Sequence, residues 1–228
     1  MMATPTGLED FAFGFSHSEG IIGSPDEIES LDIVEQDIGV ELRMRLVESR
    51  SSAFANRRRY LAGPTGCGLC GIESLGEAMR APACISDGGR FAPREILQAV
   101  QELEAGQAIN RVTRAVHAAA FFRPGQGLVA LREDIGRHNA LDKLGGALLR
   151  KGTKGEGGFG VVTSRLSVEM IQKAASIDIP VLVAVSAPTA LAVRMADAAG
   201  MTLVAVARGD GFEIFTHAQR IEERALSS

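Results

Sequence analysis

Leu8, Phe11, Ala12 and Phe15 recur at helical spacing behind Thr6, and Glu9 stands three residues after that threonine. This capping-box pattern predicts a first helix ending near Gly20. LDIVEQ (Leu31 to Gln36) and VELRMRLV (Val40 to Val47) alternate apolar and polar positions around Asp37 to Gly39, which predicts two half-buried strands in a hairpin. From about Glu48 to Phe91 the periodicity fades into a stretch rich in Arg, Ser, Gly and Pro, longer than an ordinary connection and therefore functional or disordered. After Pro93, REILQAVQELEAGQ places Ile96, Leu97, Val100 and Leu103 on one helical face and stops at Gly106.

From Thr113 onward helices and strands alternate. The pattern predicts a short apolar helix around His117, then strand GLVALRED, helix HNALDKLGGALLRK, strand GFGVVTS, helix VEMIQKAASI, strand PVLVAVS, helix TALAVRMADAAG, strand MTLVAVARG and a last strand FEIFTH. Near-continuous apolar strands such as Val181 to Val185 call for a mostly parallel sheet covered by helices on both faces. The expected class is α/β. A smaller N-terminal α+β portion, 1–108, carries the long loop of about 48–91, and a layered α/β domain occupies 109–228, the two being compatible with one continuous domain. Lys151 to Gly158 is one low-complexity patch, a solvated loop.

In open α/β sheets ligands bind outside the carboxyl ends of the strands. Here those ends are polar: EDIGRHNALDK (Glu133 to Lys143), SRLSVEMIQK (Ser164 to Lys173), SAPTALAV (Ser186 to Val193) and RGDGF (Arg208 to Phe212) each follow a strand and lead toward a turn or helix start. Helix N-termini and Arg137, Arg165 and Arg208 at three strand ends suit an anion, with phosphate the natural choice. The plainer readings stand beside this one. Ser164, Ser167 and Ser186 are also candidate N-caps, Glu169 suits a first turn, and Asp134, Arg137, His138, Asn139, Asp142 and Lys143 are candidates for a surface ion network.

With 228 residues, 46% hydrophobic and 23% charged, the chain is long enough for a real core, and a net charge of −4 argues against a general nucleic-acid binder. No long apolar run or leader-like start is present, so the expected location is cytoplasmic. GxxxxGK[ST], GxSxG and HExxH are absent, which removes the usual nucleotide, hydrolase and zinc-protease signatures.

Cys67 and Cys70 form a CxxC among Gly66, Gly68 and Gly71, after Arg57, Arg58 and Arg59. Zinc needs four ligands, and only Cys84 and His117 are on hand as third and fourth. A dithiol redox switch of the thioredoxin kind sits at a strand-to-helix junction, which this stretch lacks. A mobile, exposed thiolate that carries a sulfane sulfur fits the glycines and the arginines. Cys84 is expected to be a buried or incidental thiol.

GCGLCG, EDIGRHNALDK, SRLSVEMIQKAA, IPVLVAVSAPTALAV and GMTLVAVARGDGFEIFTH, in that order, resemble the FdhD family of formate dehydrogenase accessory sulfurtransferases, from about Ala3 to Ile221. The resemblance implies a cytidine-deaminase-like layered fold, usually dimeric. It implies a cytoplasmic carrier that takes persulfide sulfur from a cysteine desulfurase and passes it to the molybdenum cofactor, as bis-molybdopterin guanine dinucleotide bound as substrate, before insertion into the formate dehydrogenase apoenzyme. No permanent metal, nucleic acid or membrane partner is expected. By position, Cys67 is the persulfide bearer and Cys70 its partner, and Val206, Ala207, Arg208, Gly209, Asp210 and Gly211 match the cofactor-contacting segment. Asp134, Arg137, His138, Arg165, Ser167, Glu169, Lys173, Ser186 and Thr189 are expected to line the same pocket. The alternative is a non-catalytic cofactor-binding chaperone with a structural CxxC.

Two departures stand out. TRAVH (Thr113 to His117) replaces the family's TGGxH, and the sequence starts almost at the first helix where the family carries a preceding strand region, an expected weakness of the fold. A deaminase reaction lacks its residues, since His117-Ala118-Ala119 and Ser186-Ala187-Pro188-Thr189 stand where HxE and PCxxC are needed.

Overall fold

A computed structural model describes residues 1–50, 84–209 and 211–222. Helix α1 (Leu8–Ser18) is followed by strands β1 (Ile28–Gln36) and β2 (Gly39–Leu46). Then come α2 (Pro93–Gly106), α3 (Ala108–Thr113), β3 (His117–Arg123), β4 (Gly127–Asp134), α4 (Arg137–Arg150) and β5 (Phe159–Val162). The chain continues through α5 (Val168–Ser176), β6 (Val181–Ala184), α6 (Ala190–Ala199), β7 (Thr202–Arg208) and β8 (Gly211–Thr216).

The main sheet has six strands in the order β4-β3-β5-β6-β7-β8. Only β5, β6 and β7 pair in parallel, while β3–β4, β3–β5 and β7–β8 are antiparallel. The sheet is therefore mixed, not mostly parallel. The cause is local: a tight turn closed by Gln126 N–H donating to the Arg123 carbonyl at 3.0 Å joins β3 to β4, too short for a parallel crossover. The helix expected around His117 is instead β3. The helical stretch ends earlier, at α3, where Arg114 takes a left-handed φ of 52°.

Alternation along the buried strands divides the core. Ala119, Phe121, Leu182 and Ala184 meet Leu144, Leu148, Ile171 and Ala196 of α4, α5 and α6 on one face. Ala118, Ala120, Phe122, Val181 and Val183 meet Ile96, Val100 and Leu103 of α2 on the other. Helices thus cover both faces, as the strand composition requires. Leu103 is fully buried, a burial that contributes roughly 1.5–3 kcal/mol.

Helix α1 is clamped to α4 by a close crossing. A Cβ on Gly14 would lie 1.8 Å from the Asp142 carbonyl oxygen, and one on Gly146 1.8 Å from that of Asp10. The Asp10 carboxylate accepts from Arg132 Nε at 2.8 Å and Arg150 Nη1 at 2.7 Å, tying the helix to β4 and α4. So α1 and α2, both within residues 1–108, complete the layers of the sheet. The expected capping box at Thr6 does not form; Gly7, at φ 61°, is the N-cap and no side chain caps the helix. The β1–β2 hairpin is present but stands apart as a two-stranded sheet, with Ile33 41% exposed and Val40 39%, so it is more solvated than its alternation suggests.

Candidate functional site

Because β4 and β5 both run antiparallel to β3, and β5, β6 and β7 run together, the carboxyl ends of β4, β5, β6 and β7 share one sheet edge. The amino ends of β3 and β8 lie on the same edge. His117, Arg137, Arg165, Ser186 and Arg208 are therefore brought to one side of the molecule. They are not brought to one point: β4 and β7 are four strand spacings apart, about 19 Å.

The loops along this edge are paired to one another. Thr189 N–H donates to the Leu166 carbonyl at 2.9 Å, Leu166 bridges Pro188, and Val206 N–H donates to the Ser186 carbonyl at 3.3 Å. Val206 holds φ 53° at a bulge where β7 carries an extra residue against β8. Glycine ordinarily takes that left-handed position, and a β-branched residue there is strained. Beyond it Ala207 is buried, Arg208 and Gly209 are exposed and Gly211 opens β8. Asp210 lies outside the described residues, as do Cys67 and Cys70.

Two of the expected pocket residues belong to the frame instead. Asp134 is fully buried and accepts from Thr4 N–H at 2.9 Å, Lys143 Nζ at 2.5 Å, Gly136 N–H at 2.8 Å and Asn139 Nδ2 at 3.0 Å. Its two oxygens are occupied within the protein. Lys173 Nζ donates to both Asp142 oxygens, at 2.8 and 2.9 Å, and to Ser18 Oγ at 2.8 Å. Burial pushes the Asp142 carboxyl up, against the pull of Lys173. Asp134, Asn139, Asp142 and Lys143 are all buried, so the surface ion network expected of them is an interior one. Thr4 and Ser18, which the sequence reading passed over, close these networks from the N-terminal segment and α1; no local motif marks either residue.

The polar groups that do face the edge differ in kind. Thr189 caps α6, accepting from Ala192 N–H at 3.1 Å, as an N-cap should. Ser167 sits at the N-cap position of α5 but caps nothing with its side chain; its Oγ lies 3.4 Å from His138 Nε2. Ser164 is buried and donates to the Arg165 carbonyl. His138 is pushed down to about 4, first by burial and then by Arg137, with Glu169 opposing. His117 is lowered by burial and by the same guanidinium. Among the described residues no group of three or more His, Cys, Asp and Glu side chains is placed to hold a metal. Cys84 is exposed rather than buried, and neighbouring Ile85 N–H donates to the Ala199 carbonyl at the end of α6. That is the opposite sheet edge from His117, so these two cannot share one zinc ion.

A shallow depression lined by Gln98, Glu102, Gly106, Gly125 and Leu128 also lies at that opposite edge, by the β3–β4 turn. Its one carboxylate is engaged: Glu102 accepts from Leu128 N–H at 3.0 Å and from Gln98 at 2.7 Å.

Known proteins resemble this chain over nearly all of its length. A sulfur carrier protein FdhD from Agrobacterium fabrum is 52% identical over 222 residues, covering 97% of this chain and 82% of the relative. One of the same name from Brucella abortus is 53% identical over 224 residues, covering 98% and 83%. The fold is similar to a crystal structure from Desulfotalea psychrophila assigned as a formate dehydrogenase accessory protein, with TM-score 0.73 and 24% identity over 96% of this chain and 82% of that one. The FdhD/NarQ family pattern runs over residues 1–222, and the chain belongs to that family.

Proposed function

We propose that this protein is a sulfur carrier for formate dehydrogenase maturation, moving persulfide sulfur from a cysteine desulfurase to bis-molybdopterin guanine dinucleotide held along the polar sheet edge. The observation that carries the reading is the identity of just over half with proteins named sulfur carrier protein FdhD, across 97% of the chain or more. The edge supports it. It offers exposed Arg165 and Arg208, partly exposed Arg137, and the N-termini of α4, α5 and α6, which suit an extended anionic ligand. Among the described residues no helix is long and apolar enough to cross a membrane. A cytoplasmic homodimer that serves the formate dehydrogenase apoenzyme completes the proposal.

The chemistry falls to Cys67 and Cys70. The Cys67 thiolate attacks the terminal sulfur of the donor persulfide, and the donor leaves as a thiolate. Attack by the Cys70 thiolate on Cys67 Sγ then expels the terminal sulfur as hydrosulfide toward the molybdenum substrate. The two thiols are oxidised to a disulfide, which supplies the two electrons, and a cellular thiol reductant resets them. The test is intact mass after incubation with a cysteine desulfurase and cysteine. Wild type gains sulfur and the Cys67→Ala, Cys70→Ala double variant does not. Equal gain in both, or none in either, removes the carrier reading, and stoichiometric zinc on the wild type assigns the CxxC a structural role instead.

A further inference from the structure

The amino end of β3, the first turn of α4 and the start of α5 bring His117, Arg137, His138 and Ser167 together at the β4 side of the edge. We infer that these four residues form a subsite for a phosphate group of the ligand, and that an anion bound there carries protons onto the two imidazoles. This deepens the reading of the edge as the cofactor-holding face and rests on it for the identity of the ligand, but not for the anion chemistry.

Four observations converge. First, among the described residues no carboxylate pairs with Arg137, whose charge acts instead on both imidazoles. Second, the other cation near His138, Lys173, is committed to Asp142, Ser18 and Glu19 from α4 and α1. Third, the Ser167 hydroxyl is spared from capping α5 and lies against His138 Nε2 at 3.4 Å. Fourth, of the charged groups that act on His138, Arg137, Lys173 and His117 all hold it down and Glu169 alone pulls it up. A guanidinium, two imidazoles, a hydroxyl and the first-turn N–H groups of a nine-residue helix are the kinds of donor that a phosphate dianion takes.

Proton coupling follows from the same arrangement. Arg137 holds both imidazoles down in addition to their burial. An anion seated against the guanidinium cancels that repulsion and adds its own attraction, so the bound state holds more protons than the free one. By linkage the anion then binds more tightly as the pH falls through the imidazole range. Each unit by which binding raises an imidazole corresponds to about tenfold tighter anion binding to the protonated form.

Nitrogen-resolved NMR of the four histidines, titrated between about pH 4 and pH 8 with and without sulfate, tests this. Sulfate is a phosphate-like dianion that stays fully ionised over that range. His138 is expected to titrate near 4 without sulfate and at least about one unit higher when sulfate saturates. Arg137→Gln abolishes most of that rise, whereas Arg137→Lys, which keeps the charge, retains part of it. The inference is overturned if sulfate leaves His117 and His138 unmoved, if only His17 or His217 responds, or if Arg137→Gln shifts as wild type does. Sulfur loading measured on the same samples keeps the two readings apart. Normal loading without a histidine shift sinks the subsite alone, and a histidine shift without loading leaves the subsite standing while the carrier reading falls.

Discussion

Arg114 ends α3 in the left-handed region, at φ 52°, with its side chain exposed. The family motif places glycine there, and the geometry shows why: a left-handed backbone costs an L-residue roughly 1–2 kcal/mol and costs glycine almost nothing. Glycine gives back roughly 0.5–1 kcal/mol through the greater freedom of its unfolded chain. Arg114→Gly should therefore stabilise the protein by up to about 1 kcal/mol. Urea unfolding checks it, and a fall in the midpoint at constant slope would show that the arginine makes a contact worth more than its strain. The departure of TRAVH from TGGxH is, at this residue, a matter of backbone conformation. Val206 was legible as part of a candidate segment but not as strained, because nothing in VAVARG announces a bulge.

The close crossing of α1 on α4 leaves no room for a methyl group at Gly14 or Gly146. Gly14→Ala forces backbone apart from backbone, since the obstructing atom is the Asp142 carbonyl oxygen rather than a flexible side chain. The expected loss is about 3 kcal/mol or more. Thermal melting checks it; a variant as stable as wild type would mean that the helices separate freely. Most elements were legible from periodicity, including α1, α2, α4 and the strands from β5 onward. His117 to Arg123 was not, because HAAAFFR, buried on both faces, carries no alternation to distinguish a strand from a helix. The signal that was available is Pro124-Gly125, a turn dipeptide immediately after it, which implies a hairpin with β4 and so an antiparallel start to the sheet.

At the scale of the molecule, sequence order identified which polar strand-end residues share one sheet edge, because each follows a strand whose direction the sheet fixes. It did not give their separation. That depends on β3 lying between β4 and β5, which sets β4, the strand that leads to Arg137, four spacings or about 19 Å from β7, the strand that ends at Arg208. Nor did it distinguish edge groups from frame groups, because Asp134 and Lys173 look as polar as Arg137 in the sequence while their partners, Thr4 and Ser18, come from more than a hundred residues away. This spacing has a measurable consequence for a ligand that spans the edge. If guanosine diphosphate binds here with Arg137 and Arg208 at separate subsites, each of Arg137→Gln and Arg208→Ala weakens binding, and the two losses in binding free energy add to within about 0.5 kcal/mol in the double variant. Residues that grip one phosphate together would instead couple by about 0.5–3 kcal/mol. Calorimetric titration of the four proteins with guanosine diphosphate separates the cases. A double variant no weaker than Arg208→Ala alone would place the nucleotide away from the β4 end of the edge.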